Sequence, residues 1–173
     1  MARQNTYQFT LMFDVARISE WAARYSFRED TEALEAGKRI RDGQYTLANL
    51  QKIYEWKTKG RGRSRLLKNS GDEISDAMKL AASAKTDRAA VAVLLGLNGV
   101  QIPVASAILT AINPERYTII DFRALQALNN KNSYITVDFY LAYLSECRRL
   151  SRANNVSLRT LDRALWQWSK DTG

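Results

Sequence analysis

Apolar residues recur at helical spacing along nearly the whole chain, and most runs begin at a residue type that caps helices. The exception is the start, where residues 1–13 alternate loosely (Tyr7, Phe9, Leu11, Phe13) and predict an extended lead-in. Asp14 then predicts an N-cap for a helix over Val15–Phe27, with Val15, Ile18, Ala22 and Tyr25 near one face. Asp30 or Thr31 opens the next, which ends near Asp42-Gly43, and Thr46 opens one carrying Leu47, Leu50, Ile53, Tyr54 and Lys57. Ser70 or Asp72 begins a helix to Ala84 with Ile74, Ala77, Met78 and Ala81 on one side. Thr86 or Asp87 begins another, over Arg88–Leu97. After an Asn98-Gly99 turn, Pro103 suits the first position of a partner helix, which it opens. A β-branched run, Thr118-Ile119-Ile120, ends on Asp121 at the start of a helix over Phe122–Leu128. Thr136 or Val137 starts a long helix to about Asn154, and Ser157 caps a last one over Leu158–Lys170. The pattern predicts an all-α fold of roughly eight to ten helices with no sheet and no internal repeat.

The 173 residues suit one helical domain over 1–173, large enough to bury a real core. No apolar run is long enough to cross a bilayer, and no charged-then-apolar signal segment opens the chain, so no membrane partner is expected. The single Cys147 cannot form an internal disulfide, which fits a reducing cytoplasm, at the nucleoid if the source is bacterial. Histidine is absent. That removes His-based triads, His general bases and nearly every common zinc site, so no metal or cofactor is expected. Any catalysis must use carboxylates, lysines, tyrosines or backbone dipoles. A formal net charge of +8 favours an anionic partner, nucleic acid first and anionic membrane a distant second, although solubility alone also accounts for it.

The positive charge is concentrated in KTKGRGRSRLLKNSG, Lys57 to Gly71, and no acidic residue stands between Glu55 and Asp72. Punctuation by glycine, serine and charge predicts that part of this segment is a mobile loop. Such a loop often does nothing. Here Tyr54 and Trp56 lie just before it, which points Lys59, Arg61, Arg63 and Arg65 toward phosphate.

The most specific stretch is Asp87–Leu128, DRAAVAVLLGLNGVQIPVASAILTAINPERYTIIDFRALQAL. Within it, LNGVQIPVASAIL resembles a helix-hairpin-helix motif: Gly99 permits the turn, and Ala105, Ser106 and Ala107 allow close helix approach. An ordinary αα-hairpin gives the same local pattern. The continuation PERYTIIDFRAL is similar to the segment bearing the catalytic aspartate in helix-hairpin-helix DNA glycosylases, which flip a nucleotide out of duplex DNA and cut its N-glycosidic bond. The resemblance implies double-stranded DNA as partner, with Asn98, Gly99, Val100, Gln101 and Ile102 holding a phosphate at a helix N-terminus. It also implies Asp121 as the carboxylate that stabilises the oxocarbenium character of the sugar. Asp121 is equally a good N-cap for the helix after it, and the two roles can coexist.

The chain departs from the family pattern in three places. Members that cleave the strand by Schiff-base chemistry carry a lysine early in the second hairpin helix, whereas Pro103 stands at the matching position and no lysine lies between Lys85 and Lys131. The expectation is therefore a monofunctional enzyme using water, with Lys57 from the basic segment as the other candidate nucleophile. Gln101 replaces a second glycine common in the turn, and one cysteine excludes the iron–sulfur ligation found in some relatives. For stacking on a flipped base the candidates are Trp21, Tyr54, Trp56 and Phe122, Trp56 foremost, although aromatics at helical spacing are commonly core. Arg123 either reaches phosphate or pairs with a carboxylate at the edge of the core. Trp166 and Trp168, two apart on one helix, cannot share a face, so one of them docks the C-terminal helix. Three functions compete: a monofunctional DNA glycosylase, a non-catalytic helix-hairpin-helix DNA-binding protein, and a helical protein whose positive surface meets an acidic partner.

Overall fold

The computed structural model describes residues 7–27 and 29–173. The part of the lead-in at residues 1–6 lies outside them. Ten α-helices form among the described residues: α1 (Ile18–Ala23), α2 (Thr31–Arg41), α3 (Leu47–Thr58), α4 (Arg63–Leu66), α5 (Gly71–Ser83), α6 (Asp87–Leu95), α7 (Ile102–Ile112), α8 (Phe122–Ala127), α9 (Val137–Ala153) and α10 (Leu158–Thr172). The fold is all-α, and no strand forms among the described residues. Thr46, Thr86, Asp121, Thr136 and Ser157 each accept a backbone N–H from the first turn of the helix they precede. Ser70 goes further and closes a capping box with Glu73, which satisfies two otherwise orphaned donors. No described helix is long and apolar enough to cross a membrane.

The first helix differs most from expectation, at both of its ends. Asp14 caps a 3-10 turn (Val15–Arg17) that leads into α1, and α1 stops at Ala23 instead of reaching Phe27. The Ser26 N–H donates to Gln167 Oε1 at 2.9 Å, and the Tyr25 and Phe27 rings pack against Trp166, so side-chain contacts replace the missing helical turn. Part of the basic segment is helical. Lys59 ends α3 in the left-handed conformation, and α4 forms with its Leu66 completely buried. One buried leucine supplies the apolar anchor that charge and glycine content hide.

The chain forms two compact units, one made of residues up to Phe27 together with Ile120–Gly173, the other of Arg28–Ile119. Helix α7 is the centre of the second unit. Its run IPVASAILTAI is apolar on nearly every side, and Ile102 and Ala105 to Ile112 are all buried. Helices α2, α3 and α6 pack on it, and α5 packs on α6. Gly37 of α2 sits so close to α7 that an added Cβ would lie 2.0 Å from the Ala111 carbonyl oxygen. Arg41 then donates to the Ile112 carbonyl at 3.0 Å, covering the last turn of α7. Arg116 joins α5 to α6: its Nε meets Asp87 at 2.9 Å while its other nitrogens donate to the Ala84 and Lys85 carbonyls.

In the first unit α10 packs on α1, α8 and α9. The extended lead-in pairs with the end of α8 through Thr10 N–H to Leu128 and Met12 N–H to Ala127, both 2.9 Å. Phe9 reaches Phe139 and Tyr143 of α9. Tyr143 and Cys147 are fully buried, and burial pushes both the phenol and the thiol above their ordinary values, so Cys147 is a core side chain and not a nucleophile. Asp162, also buried, pairs with Arg159.

The Gly37 contact yields a stability prediction. Gly37→Ala forces a methyl into backbone atoms and should cost about 1–3 kcal/mol or more in urea unfolding. Gly71→Ala, whose Cβ meets nothing within 4 Å, should be neutral or stabilise by about 0.4–1 kcal/mol. Equal effects from the two substitutions would refute this account of the α2–α7 contact.

Candidate nucleic-acid interface

The basic segment and the turn between α6 and α7 meet inside the second unit. Gly99 adopts φ +83°, a left-handed conformation, and an added Cβ would stand 2.9 Å from the Leu66 amide nitrogen and 3.2 Å from Arg65 Cβ. Glycine is needed there twice over, for its backbone angle and for its closeness to α4. Asn69 locks the two pieces together. Its Nδ2 donates to the Leu66 carbonyl at 2.8 Å and to the Asn98 carbonyl at 3.0 Å, and its Oδ1 accepts the Asn98 N–H at 2.8 Å. Tyr54 of α3 adds a third tie, its hydroxyl donating to the Gly99 carbonyl at 3.2 Å.

These contacts shape a cleft of about 660 Å³. Lys57, Arg61 and Arg65 line it together with Gly99, Val100, Gln101, Pro103 and Val104, and no acidic side chain is among the lining residues. The N-terminus of α7 therefore opens at the cleft. Gln101 makes no side-chain cap there, and the first helical bond runs from Ala105 N–H to the Gln101 carbonyl. N–H groups in the first turn of a helix have no acceptor within it and carry partial positive charge. Three cations and an uncapped helix start give the cleft the chemistry of an anion site.

The other basic candidates lie differently. Arg63 forms an exposed ion pair with Glu55 at 3.1 Å, and it is not among the residues lining the cleft. Lys59 is exposed at the left-handed end of α3, also outside the cleft lining. Ile102 is buried, and the Asn98 N–H is already taken by Asn69. Within Asn98–Ile102 the residues that line the cleft are Gly99, Val100 and Gln101.

The aromatic candidates separate by burial. Trp56 is 7% exposed and belongs to the core of its unit, so it presents little ring surface to a base. Tyr54 is also buried and reaches the cleft, where its hydroxyl holds the turn. Trp21 is buried, with Arg17 and Arg24 above its ring. Phe122 is 70% exposed.

Asp121 belongs to the first unit. Its Oδ1 accepts the Ala124 N–H at 3.0 Å, so it is the N-cap of α8, and it remains half-buried. Lys57, the other catalytic candidate, lines the cleft of the second unit. Arg123 lies 5.0 Å from the Phe122 ring centre and 5.2 Å from that of Trp166. No cluster of metal-ligating side chains occurs among the described residues.

Sequence reasoning missed Asn69 and Arg116. Neither carries a periodic signal, because each acts through hydrogen bonds to residues about thirty positions away. No protein-family model, curated protein or solved structure matches the chain.

Asn69→Ala removes three backbone partners at once and should destabilise the protein by about 1–3 kcal/mol in urea unfolding. Asn98→Ala removes a side chain whose amide reaches Asn69 at 3.2 Å and should cost clearly less. An Asn69→Ala protein as stable as wild type would remove the lock from the account.

Proposed function

We propose that the chain binds double-stranded DNA by seating a backbone phosphate in the cleft, and that it acts as a monofunctional base-excision enzyme through Asp121. The observation that carries the binding half is that the basic segment and the glycine turn line one cleft with Lys57, Arg61 and Arg65 beside an uncapped helix start. A phosphate there gains the guanidinium donors and the N–H groups of the helix start other than Pro103, which has none, and Val100, whose N–H is bonded to the Leu97 carbonyl. Contacts of this kind position a duplex without reading its sequence.

The catalytic half rests on the resemblance around Asp121 together with its half-buried carboxylate. Cleavage breaks the bond from the sugar anomeric carbon to the base nitrogen. The base leaves with the electron pair, water adds to the carbon, and a carboxylate stabilises the positive charge between those events. Pro103 at the lysine position keeps water as the nucleophile. One observation favours the non-catalytic reading: an Asp121 oxygen already accepts the Ala124 N–H. A carboxylate has lone pairs to spare for both tasks, so the cap does not exclude chemistry.

Binding is tested by salt dependence. Each phosphate that a cation neutralises adds ~0.9 to the slope of log affinity against log salt, so Arg61→Ala with Arg65→Ala should reduce it by about 2. Arg63→Ala should leave the slope nearly unchanged, because Arg63 faces Glu55. An unaltered slope in the double variant would remove the cleft from the DNA interface.

Catalysis is tested by base release from duplexes carrying oxidised, alkylated, deaminated or bulky modified bases, read with and without alkali. Asparagine also caps helices well, so Asp121→Asn should keep fold and affinity while losing alkali-dependent cuts. Release that persists in the variant rules out Asp121. If wild type releases no base yet binds duplex in a salt-sensitive way, the non-catalytic reading stands.

A further inference from the structure

The first unit carries a second surface whose chemistry differs from that of the cleft. Ala124, Leu125 and Ala127 fill the buried face of α8, which leaves Phe122 on its first turn 70% exposed. A lone exposed phenylalanine is common on protein surfaces, but this one has cationic and aromatic neighbours. The Arg123 guanidinium lies 5.0 Å from the Phe122 ring centre and 5.2 Å from the Trp166 ring centre. Lys170 stands 5.5 Å from the same indole and donates to Ser26 Oγ at 2.7 Å. Trp166 is half-buried and continues into the Phe27 ring at 5.2 Å and the Tyr25 ring at 5.4 Å. Three acidic side chains lie near it, and Asp121, directly before Phe122, accepts the Ala124 N–H as the cap of α8. Asp162 pairs with Arg159, and Asp171 takes Arg24 and Gln167.

Aromatic faces beside cations meet the two needs of an unpaired nucleotide, a platform for the base and a counter-charge for the phosphate. An arginine lying against rings still presents the N–H edges of its guanidinium outward, in the fork that matches phosphate oxygens. An acidic peptide would use the cations but would gain nothing from an exposed phenyl ring.

We propose that the Phe122–Arg123–Trp166–Lys170 face binds unpaired nucleotides of a single-stranded nucleic acid, with a base stacked on Phe122 and the adjoining phosphate held by Arg123 and Lys170. This surface adjoins Asp121 and uses Phe122 and Arg123, which the glycosylase resemblance also implicates, but it requires neither the cleft nor bond cleavage, so single-strand binding without base release leaves it standing.

The test uses the full chain and a labelled thymidine oligonucleotide, followed by fluorescence anisotropy, beside an abasic strand with the same phosphates. Wild type should prefer the thymidine strand. Phe122→Ala, a change at an exposed position, should abolish that preference and weaken binding about fivefold or more, while Phe122→Tyr should restore it. Arg123→Ala with Lys170→Ala should flatten the salt dependence of single-strand binding, whereas Arg61→Ala with Arg65→Ala should leave the thymidine preference intact. Equal affinity for the abasic strand overturns the proposal, as does a Phe122→Ala protein that binds like wild type. Displacement of the oligonucleotide by polyglutamate at equal charge concentration would assign the face to acidic peptides instead.

Discussion

The second unit depends on the seat of Gly99 against α4. The left-handed backbone at Gly99 turns the chain from α6 into α7, and the missing side chain lets the turn lie against Leu66 and Arg65. Any side chain there would meet both a strained φ and the α4 backbone. Once the turn is seated, Asn69 ties it through three backbone groups and Tyr54 ties it through a fourth. The burial of Leu66 brings Arg65 to the turn as well, so one apolar contact and one set of hydrogen bonds fix where the positive charge stands.

Helix α7 is treated differently at its two ends. Its C-terminal carbonyl at Ile112 receives the Arg41 guanidinium, whereas its N-terminus has no side-chain cap. The helix is buried along most of its length, where solvent screens the backbone dipoles least. Covering the negative end and leaving the positive end at the cleft adds a fixed partial charge to those of Lys57, Arg61 and Arg65. The same economy appears in Arg63, whose charge is offset by Glu55 at the surface and contributes little there.

Local signals made most of the fold legible. The capping residues Thr46, Ser70, Thr86, Asp121, Thr136 and Ser157 could be read because an N-cap acts on its own next turn, within three residues. The end of α1 could not be read, because Ser26 finds its partner in Gln167 and Tyr25 finds its ring partner in Trp166, across most of the chain length. The helix in the basic segment was hidden for a related reason: Leu66 and Leu67 stand among charges, and only the tertiary fold shows that Leu66 is buried. Asn69 and Arg116 were silent because an asparagine or arginine has no periodicity to reveal what it will bond. Its place beside the basic segment put Trp56 among the candidates for stacking a base, but amphipathic spacing alone does not separate a wall of the core from a wall of a pocket.

Asp121 fills a capping role open to many residues, and the catalytic role proposed for it is one that few could fill. The residues from Tyr117 to Ile120 are buried, and Asp121 follows them in an extended conformation with φ −153°. A cap at that point asks only for a short side chain with an acceptor oxygen, a condition met by serine, threonine and asparagine as well as aspartate. Negative charge is what aspartate adds, and the capping hydrogen bond gains only modestly from it at a helix N-terminus. A carboxylate held by its own helix, half-buried and with one oxygen fixed, is already oriented before any substrate arrives. Preorganisation of this kind is what electrostatic stabilisation of a developing positive charge requires, so the capping bond and a catalytic role draw on the same geometry instead of competing for it.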